Sequence, residues 1–272
     1  MTSPIVGGAR AFRGLWLAML FATALSAFAE EIVTVSGRKD ATQSYLLMHE
    51  SAPPKAVAVM FPGGEGLLKL RLEEDSVKFV GRNNFLVRTR GLMRDTEVAV
   101  AIIDAPSDLQ RRGYSDVFRQ GSDHAADVSA VVDDLRRRFK TAKIFLVGTS
   151  RGTISAAYAG RVLGARVDGI VLTSTLFNAD RSGSGLSGFD FATLKVPVLF
   201  VHHAQDDCFV TPYTAAKRLS ANFPLITVHG GTPAQSPSCE ALSAHGYFGK
   251  ETETVSGIKN WMLGRAYPSA VE

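Results

Sequence analysis

Residues 148–152, Gly148-Thr149-Ser150-Arg151-Gly152, fit the pattern G-x-S-x-G. So short a pattern takes its meaning from context, a strand entering and a helix leaving. Here Lys143-Ile144-Phe145-Leu146-Val147 reads as the strand and Thr153-Ile154-Ser155-Ala156-Ala157 as a helix opening in small residues. On such a turn the serine backbone is strained, and small flanking residues let the helix pass close to it. The hydroxyl then stands above the sheet at a helix N-terminus, where developing negative charge is favoured. The chemistry this suggests is nucleophilic attack by Ser150. A hydroxyl is a poor nucleophile at neutral pH, so an imidazole must take its proton, a carboxylate must hold the imidazole tautomer, and backbone N–H groups must meet the oxyanion.

The elements that would position these groups are visible as short apolar runs between helical patterns. Ala56 to Phe61, Val98 to Ile103, Lys143 to Val147, Gly169 to Leu172, Val196 to Val201 and Leu225 to Val228 are continuous rather than alternating, as strands covered on both faces are. Six such runs predict a mainly parallel sheet with helices on both faces, an α/β architecture. Val128, Val131, Val132, Leu135 and Phe139 fall at helical spacing, with Ser122 or Asp123 available as the cap. Arg136-Arg137-Arg138 ends that helix, where cations complement the dipole, and reads as a solvated helix end. Further helices are expected over Tyr213 to Asn222 and Thr252 to Leu263, and a flexible loop over Arg181 to Phe189.

With these flanks the chain resembles the α/β-hydrolase superfamily, in the manner of serine esterases and dienelactone hydrolases, over roughly Ile32 to Leu263. The resemblance implies a triad in the chain order Ser, Asp/Glu, His. The run VPVLFVHHAQDD matches the family's late strand and acid loop, so Asp206 takes the acid position with Asp207 next in line, and Asp180 after the preceding strand is a further choice. Neighbouring residues point to opposite sides, so only one of Asp206 and Asp207 can face the site. His245, ahead of the C-terminal helix, takes the base position, and His229 is the second choice. Arg151, the residue after the nucleophile, would supply one oxyanion N–H. The loop Phe61-Pro62-Gly63-Gly64-Glu65-Gly66 resembles the family's H-G-G loop and would supply the other from Gly64 or Glu65, because Pro62 has no N–H. His202 and His203 read as packing or hydrogen-bonding residues, and no metal-ligand spacing accompanies any histidine. Neither a metal nor a cofactor is expected. Phe177 to Lys195 is too short for a helical cap domain.

The first 29 residues contain Arg10 and Arg13, no acid, and an apolar or small run from Leu15 to Ala29 that closes on Ala27-Phe28-Ala29. This is the pattern of a signal peptide cleaved after Ala29, which would leave one domain over residues 30–272 in the periplasm or outside the cell. The run is shorter than a transmembrane helix requires, so no stable membrane insertion is expected after cleavage. The chain of 272 residues carries 30 Lys+Arg against 26 Asp+Glu, and the formal net charge of +4 falls to +2 without Arg10 and Arg13. Arg111-Arg112 and the arginines from Arg88 to Arg94 are scattered among polar residues, not a stripe; they could contact an anionic substrate but read better as solvated surface, so nucleic-acid binding is not expected. Cys208 and Cys239 both lie in the exported part, and an even count in an oxidising compartment favours a disulfide. Closing a loop of about 30 residues would contribute roughly 3–4 kcal/mol, and would tie the acid loop to the base loop. The reading is an exported serine hydrolase acting on small-molecule or polymer carboxylic esters through an acyl-enzyme. The alternatives are a peptidase or acyltransferase on the same triad, or a non-enzymatic binding protein on this fold.

Overall fold

The computed structural model describes residues 1–3 and 29–272. The expected signal segment therefore lies almost wholly outside the described residues. In chain order the elements are β1 (Ala29–Ser36), β2 (Thr42–His49), β3 (Ala56–Phe61), β4 (Arg71–Glu73), β5 (Ser76–Lys78), α1 (Phe85–Arg88), α2 (Arg90–Met93) and β6 (Val98–Ile103). There follow α3 (Asp116–Gln120), α4 (Ser122–Arg138), β7 (Lys143–Thr149), α5 (Gly152–Leu163), β8 (Gly169–Thr173), β9 (Val198–His203), α6 (Tyr213–Leu219), β10 (Leu225–Val228), α7 (Glu251–Met262) and β11 (Ala270–Val271). Nine strands form one sheet in the order β1-β2-β6-β3-β7-β8-β9-β10-β11, in which β2 pairs antiparallel with both neighbours and the other pairings are parallel. The small hairpin β4-β5 stands apart.

Continuous apolar strands arise because both faces are covered. On β3 and β6, Val57, Val59, Ala99, Ala101 and Ile103 pack with Val128, Val131, Val132 and Leu135 of α4 and Ile154 of α5. The alternate residues Ala58, Met60, Val98, Val100 and Ile102 pack with Leu86, Met93, Val255, Ile258 and Met262 from α1, α2 and α7. This period of two puts successive side chains into opposite layers. The parallel strands consequently end along one edge of the sheet, where the loops after β3, β7, β8, β9 and β10 gather. In open α/β sheets, sites form beyond the carboxyl ends of the strands.

All six predicted strands are present. The fifth begins at Val198 rather than Val196 and continues through His202 and His203. Pro197, with no N–H to give, precedes it and offers only its carbonyl, to the Ile170 amide. The long helix begins as expected, but its N-cap is Gly121 with no side-chain cap bond, not Ser122 or Asp123. The triple arginine does end that helix, yet it is not simply solvated: Arg136 pairs with Asp168, Arg137 with Asp134, and Arg138 with Asp134 and Glu31. Arg88 and Arg94 likewise pair, with Glu251 and Glu50. Between β8 and β9 the chain contains only turns and one short 3-10 turn over Phe191–Thr193, without a cap domain. Among the described residues no helix is long and apolar enough to cross a membrane.

Candidate active site

Ser150 occupies the turn between β7 and α5 with φ of 51°, a left-handed conformation that an L-residue adopts only when its surroundings impose it. Those surroundings depend on two glycines. A Cβ on Gly148 would lie 2.5 Å from the Gly152 carbonyl oxygen, and one on Gly152 would lie 1.9 Å from the Phe61 carbonyl oxygen. Helix α5 thus passes directly beneath the end of β3. The Ser150 amide donates to the Thr173 carbonyl at 3.1 Å, and the Thr153 amide and hydroxyl donate to the Ser150 carbonyl at 2.9 and 2.6 Å.

The loop after β3 leans on this turn. A Cβ on Gly63 would stand 3.0 Å from Ser150 Cβ, and Gly64 has φ of 59° within a turn closed by the Gly66 amide on the Gly63 carbonyl at 3.1 Å. Gly63, Gly64, Ser150 and Arg151 line one cleft of about 790 Å³, together with Phe79, Leu176, Phe209 and His245. Among the described residues, no protein acceptor takes the backbone N–H of Gly64 or Arg151. The Arg151 side chain is committed elsewhere, donating to Asp116 at 2.6 Å and to Asp180. Burial opposes its charge, but the bonds to Asp180 and Asp116 outweigh that and hold its pKa above the ordinary guanidinium value. Asp180 is therefore bound to an arginine rather than to a histidine.

Across the cleft, Asp206 Oδ2 lies 3.1 Å from His245 Nδ1, and both residues are buried. Asp207 is exposed and lines a different cavity, as the opposite-facing rule for neighbours requires. The second Asp206 oxygen accepts the Cys208 amide at 3.0 Å. Thr211, absent from the sequence reading, donates its hydroxyl to Asp206 Oδ2 at 2.8 Å and sits 3.1 Å from His245 Nδ1. With Nδ1 facing the carboxylate, Nε2 is the nitrogen left for proton transfer. Ser150 and His245 line the same cleft without a direct hydrogen bond among the described residues. Such bonds are often long before substrate binds.

Two further buried groups fix the loop that carries His245. The Ser174 hydroxyl donates to the His245 carbonyl at 2.7 Å, and the Tyr247 hydroxyl accepts the Ser174 amide at 2.9 Å and donates to the Val201 carbonyl at 2.7 Å. Burial holds the Tyr247 phenol well above its usual pKa, so it remains a donor. Nothing in the local sequence marks Ser174 or Tyr247, because each acts across the fold on a residue distant in the chain; Thr211 lies close to Asp206 in sequence but meets His245 only through the fold. Cys208 and Cys239 are joined, sulfur to sulfur 2.04 Å with Cα atoms 4.7 Å apart, and both line the cleft.

His202 and His203 have hydrogen-bond partners, whereas both ring nitrogens of the buried His124 have none. His202 Nε2 accepts the Thr175 amide at 2.9 Å, and burial pushes its pKa down to about 3, so it is neutral. His203 Nδ1 accepts the Gln205 amide and its Nε2 lies 2.9 Å from the Gly230 carbonyl. His229 lies outside the residues lining the cleft. His124 is buried among Phe61, Tyr114 and Phe118, and burial pushes it down to about 3 as well. Asp206, Cys208 and His245 have ligand-type atoms close together, but the Cys208 sulfur is bonded to Cys239 and is no thiolate.

Residues 95–235, just over half of the chain, match the family described as serine aminopeptidase, S33. Among curated proteins none matches the sequence. Solved structures share the fold at low identity. Est1E from Butyrivibrio proteoclasticus has a TM-score of 0.58 at 14% identity, with 86% of this chain and 98% of that one covered. Dienelactone hydrolase from Anabaena variabilis gives 0.57 at 13%, covering 88% and 98%. A cold-adapted esterase from an Arctic intertidal metagenomic library gives 0.54 at 16%, covering 87% and 92%. The strained serine turn, the parallel sheet and the family match together place this chain in the serine aminopeptidase (S33) family, as a serine hydrolase of the α/β-hydrolase superfamily.

Proposed function

We propose that the chain is an exported carboxylic ester hydrolase that works through an acyl-enzyme, with Ser150 as nucleophile, His245 as base and Asp206 as the acid that orients it. The observation that carries this reading is the buried Asp206–His245 pair opening on the same cleft as a serine held at positive φ. His245 Nε2 takes the Ser150 proton as Oγ attacks the substrate carbonyl carbon. The resulting oxyanion is met by the Gly64 and Arg151 N–H groups, and collapse expels the alcohol with the proton that His245 returns. Water then repeats the sequence on the acyl-enzyme and frees the acid. Asp206 and Thr211 hold the Nδ1–H tautomer and stabilise the imidazolium that forms in each half-reaction.

Esters are favoured over peptides because an esterase and a dienelactone hydrolase are matched over 92% and 98% of their length, whereas the similar prolyl endopeptidases and acylaminoacyl peptidase are matched over only 39% and 42% of theirs, and because the cleft offers a poor seat for a substrate ammonium group. Of its acids, Asp180 is engaged by Arg151, and Glu240 is exposed at the rim. Export rests on the residue pattern of the first 29 positions and on the cysteine pair. A cut after Ala29 would leave Glu30 to Ser36 in register with β2.

Intact-mass spectrometry after incubation with a fluorophosphonate, beside Ser150→Ala, tests the mechanism. One adduct on the wild type and none on the variant is expected, whereas no adduct on folded wild type would favour a binding protein. p-Nitrophenyl esters turned over faster than aminoacyl p-nitroanilides would support the ester reading, and the reverse order would make the chain a peptidase. A mature N-terminus other than Glu30 on protein recovered from the periplasm or medium would overturn the predicted cleavage.

A further inference from the structure

Arg119 on α3 is among the largest fully buried side chains, 1% exposed, and its guanidinium has no carboxylate partner among the described residues. Burial lowers its pKa to about 10, which leaves it charged at neutral pH. A buried charge is costly unless it is well bonded. Its bonds all go to the catalytic frame. One terminal nitrogen donates to Ser155 Oγ on α5 at 2.6 Å, and the other donates to the Gly64 carbonyl at 3.1 Å and the Pro62 carbonyl at 3.4 Å. The guanidinium carbon stacks over the Tyr114 ring at 4.6 Å. At Gly66, whose φ is 60°, a Cβ would lie 2.7 Å from the Arg119 nitrogen and 2.7 Å from Tyr114, so the loop is shaped around this side chain.

In a trans peptide the carbonyl and the N–H point in opposite directions. Arg119 holds the Pro62 and Gly64 carbonyls, and the Gly66 amide holds the Gly63 carbonyl between them. Three consecutive peptide planes are thereby fixed, and the Gly64 N–H belongs to the middle one. The same guanidinium grips α5, the helix that carries the Arg151 amide at its start. We infer that Arg119 is a positioning residue that couples the two halves of the oxyanion hole, fixing the Gly64 N–H relative to the Arg151 N–H. The inference rests on the hydrolase reading proposed above. It adds that a buried arginine without contact to substrate controls how well the oxyanion is held.

The test compares wild type, Arg119→Lys, Arg119→Met and Ser155→Ala on a p-nitrophenyl ester and with a trifluoromethyl ketone inhibitor, whose hemiketal oxygen takes the oxyanion position. Loss of positioning predicts a fall in kcat of about 10- to 100-fold for the Arg119 variants, with KM changed less than about twofold. Inhibitor affinity should fall in step with kcat/KM, while the acid limb of the pH–rate profile stays in place. A merely structural role would not produce this split. Arg119→Lys that folds with kcat within about twofold of wild type would overturn the inference, as would lost activity with undiminished inhibitor affinity. Should neither Arg119 variant fold, Ser155→Ala decides: about a 3- to 10-fold loss in kcat supports the coupling and wild-type kinetics refute it. Wild-type protein that neither labels with a fluorophosphonate nor turns over esters would instead strike at the hydrolase reading itself.

Discussion

The two sides of the cleft are built on different principles. The proposed nucleophile side is backbone geometry, with Ser150 held at φ of 51° between Gly148 and Gly152 and Gly63 against its Cβ. The proposed acid and base side is a side-chain network. Asp206 and His245 stand on separate loops 39 residues apart and meet through Thr211, Ser174, Tyr247 and the Cys208–Cys239 link. The first side is close-packed and tolerates no added atom. The second depends on satisfied hydrogen bonds and a tether, so the loss should differ from member to member, largest at the Asp206 carboxylate and smallest at the tether.

Changes at the acid give the largest contrast. Asp206→Asn should lower kcat/KM by about 10³- to 10⁴-fold through the wrong imidazole tautomer, while Asp207→Asn, on the opposite side of the chain, should stay within about twofold. Equal losses in the two variants, measured on a p-nitrophenyl ester, would break the assignment of the two carboxylates to different surroundings. On the nucleophile side, Gly152→Ala forces a methyl to 1.9 Å from the Phe61 carbonyl. Denaturant titration should show a loss of about 3 kcal/mol, with activity reduced in the fraction that folds. A neutral result there would mean that the turn is more compliant than its packing implies.

The tether gives a smaller effect. Cys208→Ser with Cys239→Ser should cost about 3 kcal/mol, a drop in Tm of roughly 6–12 °C for a chain of this size, with a more modest change in kcat. Loss of all activity at retained fold would show that the acid and base side is as brittle as the turn. At neutral pH the smallest effect belongs to the two imidazoles kept neutral by burial, His124 against Phe61 and Tyr114 and His202 bonded to Thr175, each pushed down to about 3, because their linkage acts only in acid. Unfolded histidine takes up its proton near pH 6.5, so the unfolded state binds more protons between the two values. Their stabilising contribution is complete above about pH 6.5 and is lost as pH falls toward 3, at up to about 1.4 kcal/mol per pH unit for each. His124→Phe, which keeps the aromatic packing, should flatten the stability–pH curve by about one proton, as read from urea midpoints between pH 4 and 7. An unchanged slope would mean that His124 is not held neutral.

Legibility in the sequence follows the same division. The six central strands were readable because burial on both faces leaves a continuous apolar run, and the serine turn because its glycines and its serine are contiguous. Strands β1 and β2 were not read: β1 is the partly exposed edge strand, and β2 beside it mixes exposed, half-buried and buried residues. The pairing of Arg88 with Glu251 spans 163 residues, and that of Arg94 with Glu50 spans 44, so composition alone suggested free surface charge. Nothing in the sequence singles out Arg119, whose place under the Gly64 loop is visible only in the fold.

By itself the sequence determined what is local: the continuous apolar strands, the strand ends, and the glycines that a tight turn around Ser150 requires. Tertiary structure alone decided which of two adjacent carboxylates meets His245, which hydroxyls complete that pair, and which arginine lies beneath the oxyanion loop. The physical reason is range. Backbone strain and burial periodicity act within a few residues and leave a pattern along the chain, whereas a buried hydrogen bond needs only two atoms about 3 Å apart, at any separation in sequence.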